Sequence, residues 1–234
     1  MPYYYYGFGG DSKLLLITLA MMIIPFCASV KVQNAFQLYS KKRTLSGYTG
    51  EEAAKRILAM NNINVPIQPV RGSMTDFYDP VNKTLALSQS VYGVDSIAAI
   101  SVAAHECGHA IQDAHHYAFL RFRHTIYPVT HFASRLSMPL IFLGLIFGSM
   151  SFLVDFGIVL FAITTLFAIV TLPVEFNASK RALVALESSG MLTSEELVGA
   201  KKVLDAAALT YVAAAMASVL SLIRLMMISN RRND

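Results

Sequence analysis

The chain has 234 residues, of which 55% are hydrophobic and only 15% charged, with a formal net charge of +4. So small a charged share is unusual for a soluble domain, and the basic residues form no stripe interleaved with aromatics, so no nucleic-acid partner is expected. Cys27 sits in an apolar run and Cys107 in a polar-site helix, which leaves no disulfide framework.

The excess apolar residues collect in four runs without a charged side chain, at 14–30, 136–154, 156–174 and 206–223. A hydrocarbon core about 30 Å thick needs roughly 20 apolar residues at 1.5 Å rise each, so every run is just long enough to cross. The first run has Lys13 as its only basic flank and no small-x-small cleavage site before a soluble domain, so it reads as an uncleaved anchor. The tyrosines at 3–6 read as an interfacial aromatic anchor. Thr49 and Glu52 form a capping box that opens an amphipathic helix to about Asn61. Pro66, Pro69, Gly72, Asp79 and Pro80 punctuate short β-prone pieces, of which 84–88 is the best strand. Asp95 or Ser96 then caps a helix to Ala114 that is apolar on most sides and hence buried. Asp155 alone separates the second and third apolar runs, which predicts a tight hairpin with Asp155 at its tip. Thr193 to Glu196 is a second capping pattern, and no Gly or Pro interrupts 200–229, so one long helix is expected there, partly embedded in membrane. Most of the 19 basic residues lie in 31–135 and 175–205, and the positive-inside rule puts both stretches in the cytoplasm.

Within the buried helix stands His105-Glu106-Cys107-Gly108-His109. Histidines at i and i+4 share one helical face, so both imidazoles can reach one ion. Glu106 is turned about 100° from His105, which sets it beside the ion rather than on it. A carboxylate there can take a proton from a zinc-activated water attacking a carbonyl and deliver it to the leaving amine. Read instead as a core helix, the same segment would bury a glutamate and two histidines among Ala, Ile and Val without a partner, at a high cost. One Zn²⁺ is therefore the expected cofactor. A catalytic zinc commonly has three protein ligands and one open position. Glu175 is the candidate third ligand, because it ends an uncharged span at the face to which two crossings return the chain, and a carboxylate there needs a partner. His115, His116, His124 and His131 lie among aromatics and basics before a span and read as interfacial side chains.

The motifs AAHECGHAIQ (103–112), DFYDP (76–80), KTLALS (83–88), LPVEFNASKRA (172–182) and KKVLDAAALTYVAAA (201–215) closely resemble the YugP-type neutral zinc metallopeptidases of bacterial membranes. The resemblance covers most of the chain from Tyr39 to Leu225. It implies a multi-pass membrane peptidase with an HExxH helix and a Glu from a second helix. The chain is also distantly similar to the HtpX and CAAX prenyl protease group, in which a Glu-x-x-x-Asp supplies the third ligand and a supporting carboxylate. Glu175 fits the ligand place, but Ser179 stands where the Asp would be, so support for a ligating His must come from elsewhere or be absent. Asp205 is a substitute, or an exposed partner of Lys201 or Lys202. By similarity to gluzincins, the strand Thr84, Leu85, Ala86 and Leu87 would pair with an extended substrate. Tyr211 would donate to the developing oxyanion, or be a packed tyrosine with a satisfied hydroxyl.

The expected fold is a mainly α-helical multi-pass membrane protein with a small α+β zincin-like metallopeptidase unit. Its parts are 1–31, with the first span; 32–135, the cytoplasmic zincin-like unit with the HExxH helix; 136–174, a transmembrane hairpin; and 175–234, the third-ligand segment and long C-terminal helix. The expected activity is zinc-dependent hydrolysis of peptide bonds at the cytoplasmic face of the cell membrane, in peptide or protein substrates associated with the bilayer. The alternative is a non-catalytic membrane adaptor with a structural zinc closed by a fourth ligand such as Cys107. A zinc transporter or sensor would need ionisable residues inside the spans, which hold almost none.

Overall fold

The computed structural model describes residues 12–147 and 150–233, and the tyrosines at 3–6 lie outside them. In chain order the elements are α1 (Ser12–Ser40), α2 (Gly50–Met60), β1 (Ile67–Val70), β2 (Phe77–Asp79), β3 (Thr84–Ser88), α3 (Ile97–Ala114), α4 (Ala118–Ile146), α5 (Ser151–Ser189) and α6 (Ser194–Asn233). Helices α1, α4, α5 and α6 are each long and apolar enough to cross a membrane. With the small sheet, this is the architecture of a helical membrane protein carrying an α+β unit. Contacts divide the chain into two compact units, described separately below.

The first unit comprises the described parts of Met1–Cys27, Ile126–Ile169 and Ala213–Asp234. Small residues let its helices approach closely: a Cβ on Gly157 would stand 2.6 Å from Ile141 Cγ1 and 2.9 Å from the Ser137 carbonyl. The Thr165 and Ser218 hydroxyls pair at 2.9 Å, which satisfies both in apolar surroundings. Asp155 is not at a hairpin tip. Helix α4 ends at Ile146 and α5 begins at Ser151, so Asp155 lies within α5, where its Oδ1 accepts from the Ser229 hydroxyl at 3.0 Å. A lone acid in an apolar run marks a polar partner as readily as a turn.

The second unit comprises Ala28–Thr125 and Val170–Val212. Its core gathers Ile57 of α2, Leu85 and Leu87 of β3, Ile100 and Ala104 of α3, Leu186 of α5 and Leu204 of α6. Thr49 caps α2 through the reciprocal box with Glu52, and Ser96 caps α3 by accepting from the Ala99 N–H. At the start of α6, Glu196 takes the Thr193 N–H at 2.8 Å and, through its other oxygen, the Leu45 N–H at 2.7 Å. One capping carboxylate therefore also ties the segment after α1 to α6. The three-stranded sheet has the order β1-β3-β2, with β3 parallel to β1 and antiparallel to β2. Asp76 anchors the start of β2 by accepting the Ser88 N–H at 2.7 Å and hydroxyl at 2.9 Å, and burial pushes its carboxyl up from the usual range.

Candidate active site

The site is assembled where α3 meets α5. A Cβ on Gly108 would lie 2.4 Å from the Ala178 carbonyl oxygen, so the backbones of these helices touch at a point only glycine permits. That contact sets the His105 and His109 face of α3 against Glu175 of α5. Glu175 Oε2 lies 3.3 Å from His105 Nε2 and 3.5 Å from His109 Nε2. The imidazole rings stand nearly perpendicular, 4.9 Å apart. Among the described residues these three are the one His, Cys, Asp or Glu grouping able to hold a metal ion, their ligand atoms all within 4.8 Å of one another. Ligand atoms about 2.0–2.2 Å from a tetrahedral zinc lie about 3.4 Å from each other, so the two Glu175 spacings and the N₂O donor set fit zinc.

Each member of the group is held by a second residue. Ser179 Oγ sits 3.2 Å from His105 Nδ1, and Gln112 Oε1 sits 3.1 Å from His109 Nδ1. With Nε2 turned to the site, each Nδ1–H donates outward, which sets the tautomer and the ring plane. Gln112 is fully buried and donates its amide N–H groups to the Val174 carbonyl at 2.7 Å and Asn177 Oδ1 at 3.0 Å. Arg123 of α4 donates to Glu175 Oε1 at 3.0 Å, leaving Oε2 to face the imidazoles. Glu175 is only 2% exposed, so an unpaired charge there would be costly.

Beside the group is a cavity of about 160 Å³, lined by Glu106, His109, Glu175, Arg123, His124 and Tyr211 along with residues of β2. Glu106 is buried, and burial pushes its carboxyl up to about 7, against the pull of His105 and a backbone hydrogen bond from Tyr78. Tyr78 of β2 donates its hydroxyl to Asp113 Oδ2 at 2.7 Å, and Lys83 pairs with the same oxygen at 2.5 Å. Burial and the Asp113 carboxylate push the Tyr78 phenol up, so it stays protonated and pins β2 to the last turn of α3.

Two sequence expectations need correction. Thr84, Leu85, Ala86 and Leu87 cannot take an added strand, because β1 and β2 occupy both sides of β3 and Leu85 to Leu87 are fully buried. The uninterrupted apolar run of this strand already has the look of a central one. The edge that reaches the cavity is β2, through Phe77 and Tyr78. Asp205 does not support a histidine; it pairs with Lys201 on the exposed face of α6. Its supposed duty on His105 falls to Ser179 itself, whose hydroxyl reaches where a longer carboxylate is absent. His124 also lines the cavity. Cys107 points away from the histidines toward the Ala54 carbonyl, 3.7 Å off, and burial pushes its thiol up. Sequence reasoning passed over Gln112, Asn177 and Arg123. Gln112 was legible as a polar residue one turn beyond His109 on a buried helix, whereas Arg123 counted there only as a topological charge.

Residues 14–230 match the model of the family described as "Putative neutral zinc metallopeptidase", and the chain belongs to that family. Among curated proteins it is similar to the "Putative membrane protease YugP" of Bacillus subtilis (strain 168), at 48% identity over 216 residues, covering 92% of this chain and 95% of that protein. No solved structure matches.

Arg123→Met is expected to weaken zinc binding about 10- to 100-fold while the helices remain folded, because Glu175 loses the cation that orients it. Zinc titration against a competing chelator measures this, and unchanged affinity would show that Arg123 is dispensable to the metal group.

Proposed function

We propose that the chain is a multi-pass membrane zinc peptidase of the HExxH type, with one ion held by His105, His109 and Glu175. The observation that carries this reading is the 3.3 and 3.5 Å spacing of Glu175 from the two Nε2 atoms, contributed by residues far apart in sequence. When bound, the zinc would supply Lewis-acid activation of a water and polarisation of the scissile carbonyl. Glu106, buried beside the two imidazoles, takes the proton of the attacking water and passes it to the leaving amine. Tyr211, on the cavity wall, donates its hydroxyl to the oxyanion that develops on the substrate. The open edge of β2 pairs with the extended substrate backbone, which gives affinity with little sequence preference.

Among the described residues no fourth His, Cys, Asp or Glu joins the metal group, which favours a catalytic over a closed structural site. Cys107, the suspect for a structural fourth ligand, faces α2. The concentration of basic residues in 31–135 and 175–205 supports a cytoplasmic active site acting on membrane-associated peptides or proteins.

The direct test is the detergent-solubilised chain assayed for bound zinc and for casein cleavage. Stoichiometric zinc with chelator-sensitive cleavage is expected, whereas zinc with no cleavage of casein or membrane-derived peptides would favour the adaptor. Tyr211→Phe should keep its zinc and lose about 10²-fold in kcat with KM little changed. A kcat equal to the wild type would return Tyr211 to a packing role.

A further inference from the structure

A larger cavity, of about 380 Å³, opens away from the metal group between the end of α2, α3 and α5. Lys180 and Arg181 line it, and no carboxylate does. Lys180 has no acidic or hydrogen-bonding partner among the described residues. Arg181 gives its Nε–H to Asn177 Oδ1 at 2.7 Å and lies over the Tyr117 ring at 6.0 Å, leaving its terminal N–H groups unengaged among those residues. Two neighbouring cations around a recess without an acid repel one another. A phosphate group relieves that repulsion, and its several acceptor oxygens match the guanidinium fork. Lys180 also stands about 9 Å along α5 from Val174, the last residue of an uncharged run, a distance that suits the headgroup zone of a bilayer.

The cavity is wired to the metal group. Asn177 Oδ1, which accepts from Arg181, also accepts from Gln112 Nε2 at 3.0 Å, and Gln112 Oε1 faces His109 Nδ1 at 3.1 Å. We propose that this cavity binds a phosphate group through Lys180 and Arg181, and that its occupation strengthens His109 as a metal ligand through Asn177 and Gln112. An anion on Arg181 cancels the positive field at the far end of this chain, which favours outward donation by His109 Nδ1–H and raises the basicity of Nε2. The second half of the proposal rests on the metal-centre reading given above.

The full chain in zwitterionic detergent is titrated with two probes, glycerol phosphate and phosphatidylglycerol, by calorimetry, and zinc release to excess chelator is timed with and without each. Saturable binding of at least one probe is expected, with zinc release slowed about fivefold or more. Saturation by the soluble probe identifies a free phosphate ligand; saturation by the lipid alone identifies a headgroup. Lys180→Gln, which breaks no contact, should weaken binding about tenfold, and the Lys180→Gln, Arg181→Gln pair should abolish both effects. Absence of saturable binding, or equal binding by the variants, overturns the site. Binding with unaltered zinc release overturns the link to His109. Should the protein take up no zinc at all, the peptidase reading fails by itself, and the calorimetry still decides the cavity.

Discussion

Glu106→Gln is expected to leave zinc bound and to reduce peptide cleavage by about 10²- to 10⁴-fold, the range contributed by a positioned general base. The change is nearly isosteric and leaves His105, His109 and Glu175 in place, so lost activity cannot be ascribed to a lost metal group. Zinc content by elemental analysis and casein cleavage, measured on one preparation, separate the two, and wild-type turnover by the variant would remove Glu106 from the chemistry. The same substitution has a readout in the metal-free chain. Burial raises the Glu106 carboxyl from 4.5 to about 7, so the stability contributed by its neutral form is present below the ordinary carboxylate value and lost as pH rises through about 7. Gln cannot ionise. With chelator present, Glu106→Gln is therefore expected to melt higher than the wild type well above pH 7 and alongside it in acid, and a parallel offset at every pH would contradict the assigned burial.

Gly108→Ala is expected to damage the site without touching any ligand. Its new Cβ would meet the Ala178 carbonyl oxygen at 2.4 Å and the Ala178 carbonyl carbon at 3.0 Å, and backbone atoms cannot rotate away. Separating α3 from α5 destabilises the protein by about 1–3 kcal/mol, the usual cost of overpacking, and pulls the histidine face from Glu175. Zinc affinity should fall by at least about tenfold along with the melting temperature. Gly93→Ala is the matched control, because a Cβ there meets nothing within 4 Å, and it should change neither quantity. Normal zinc affinity in Gly108→Ala would show that the helix contact does not set the ligand spacing.

The sequence by itself determined whatever depends on neighbours along the chain. The first, third and fourth apolar runs, the Thr49 and Glu52 box, the Ser96 cap and the His105 and His109 pair are local patterns, and each appears where periodicity and capping chemistry put it, whereas the second run, 136–154, is divided between α4 and α5. Glu175, distant along the chain, also lies beside the histidines. Only the tertiary structure decided which strand lies at the sheet edge, since the pairing of β3 on both sides depends on partners that its own residues do not name. It alone decided that Ser179, Gln112 and Arg123 hold the metal group while Asp205 stays in solvent, because hydrogen bonds between helices depend on how those helices rotate and cross. At Gly108 that crossing is set by a steric contact with Ala178, a residue 70 positions away whose identity gives no hint of the approach.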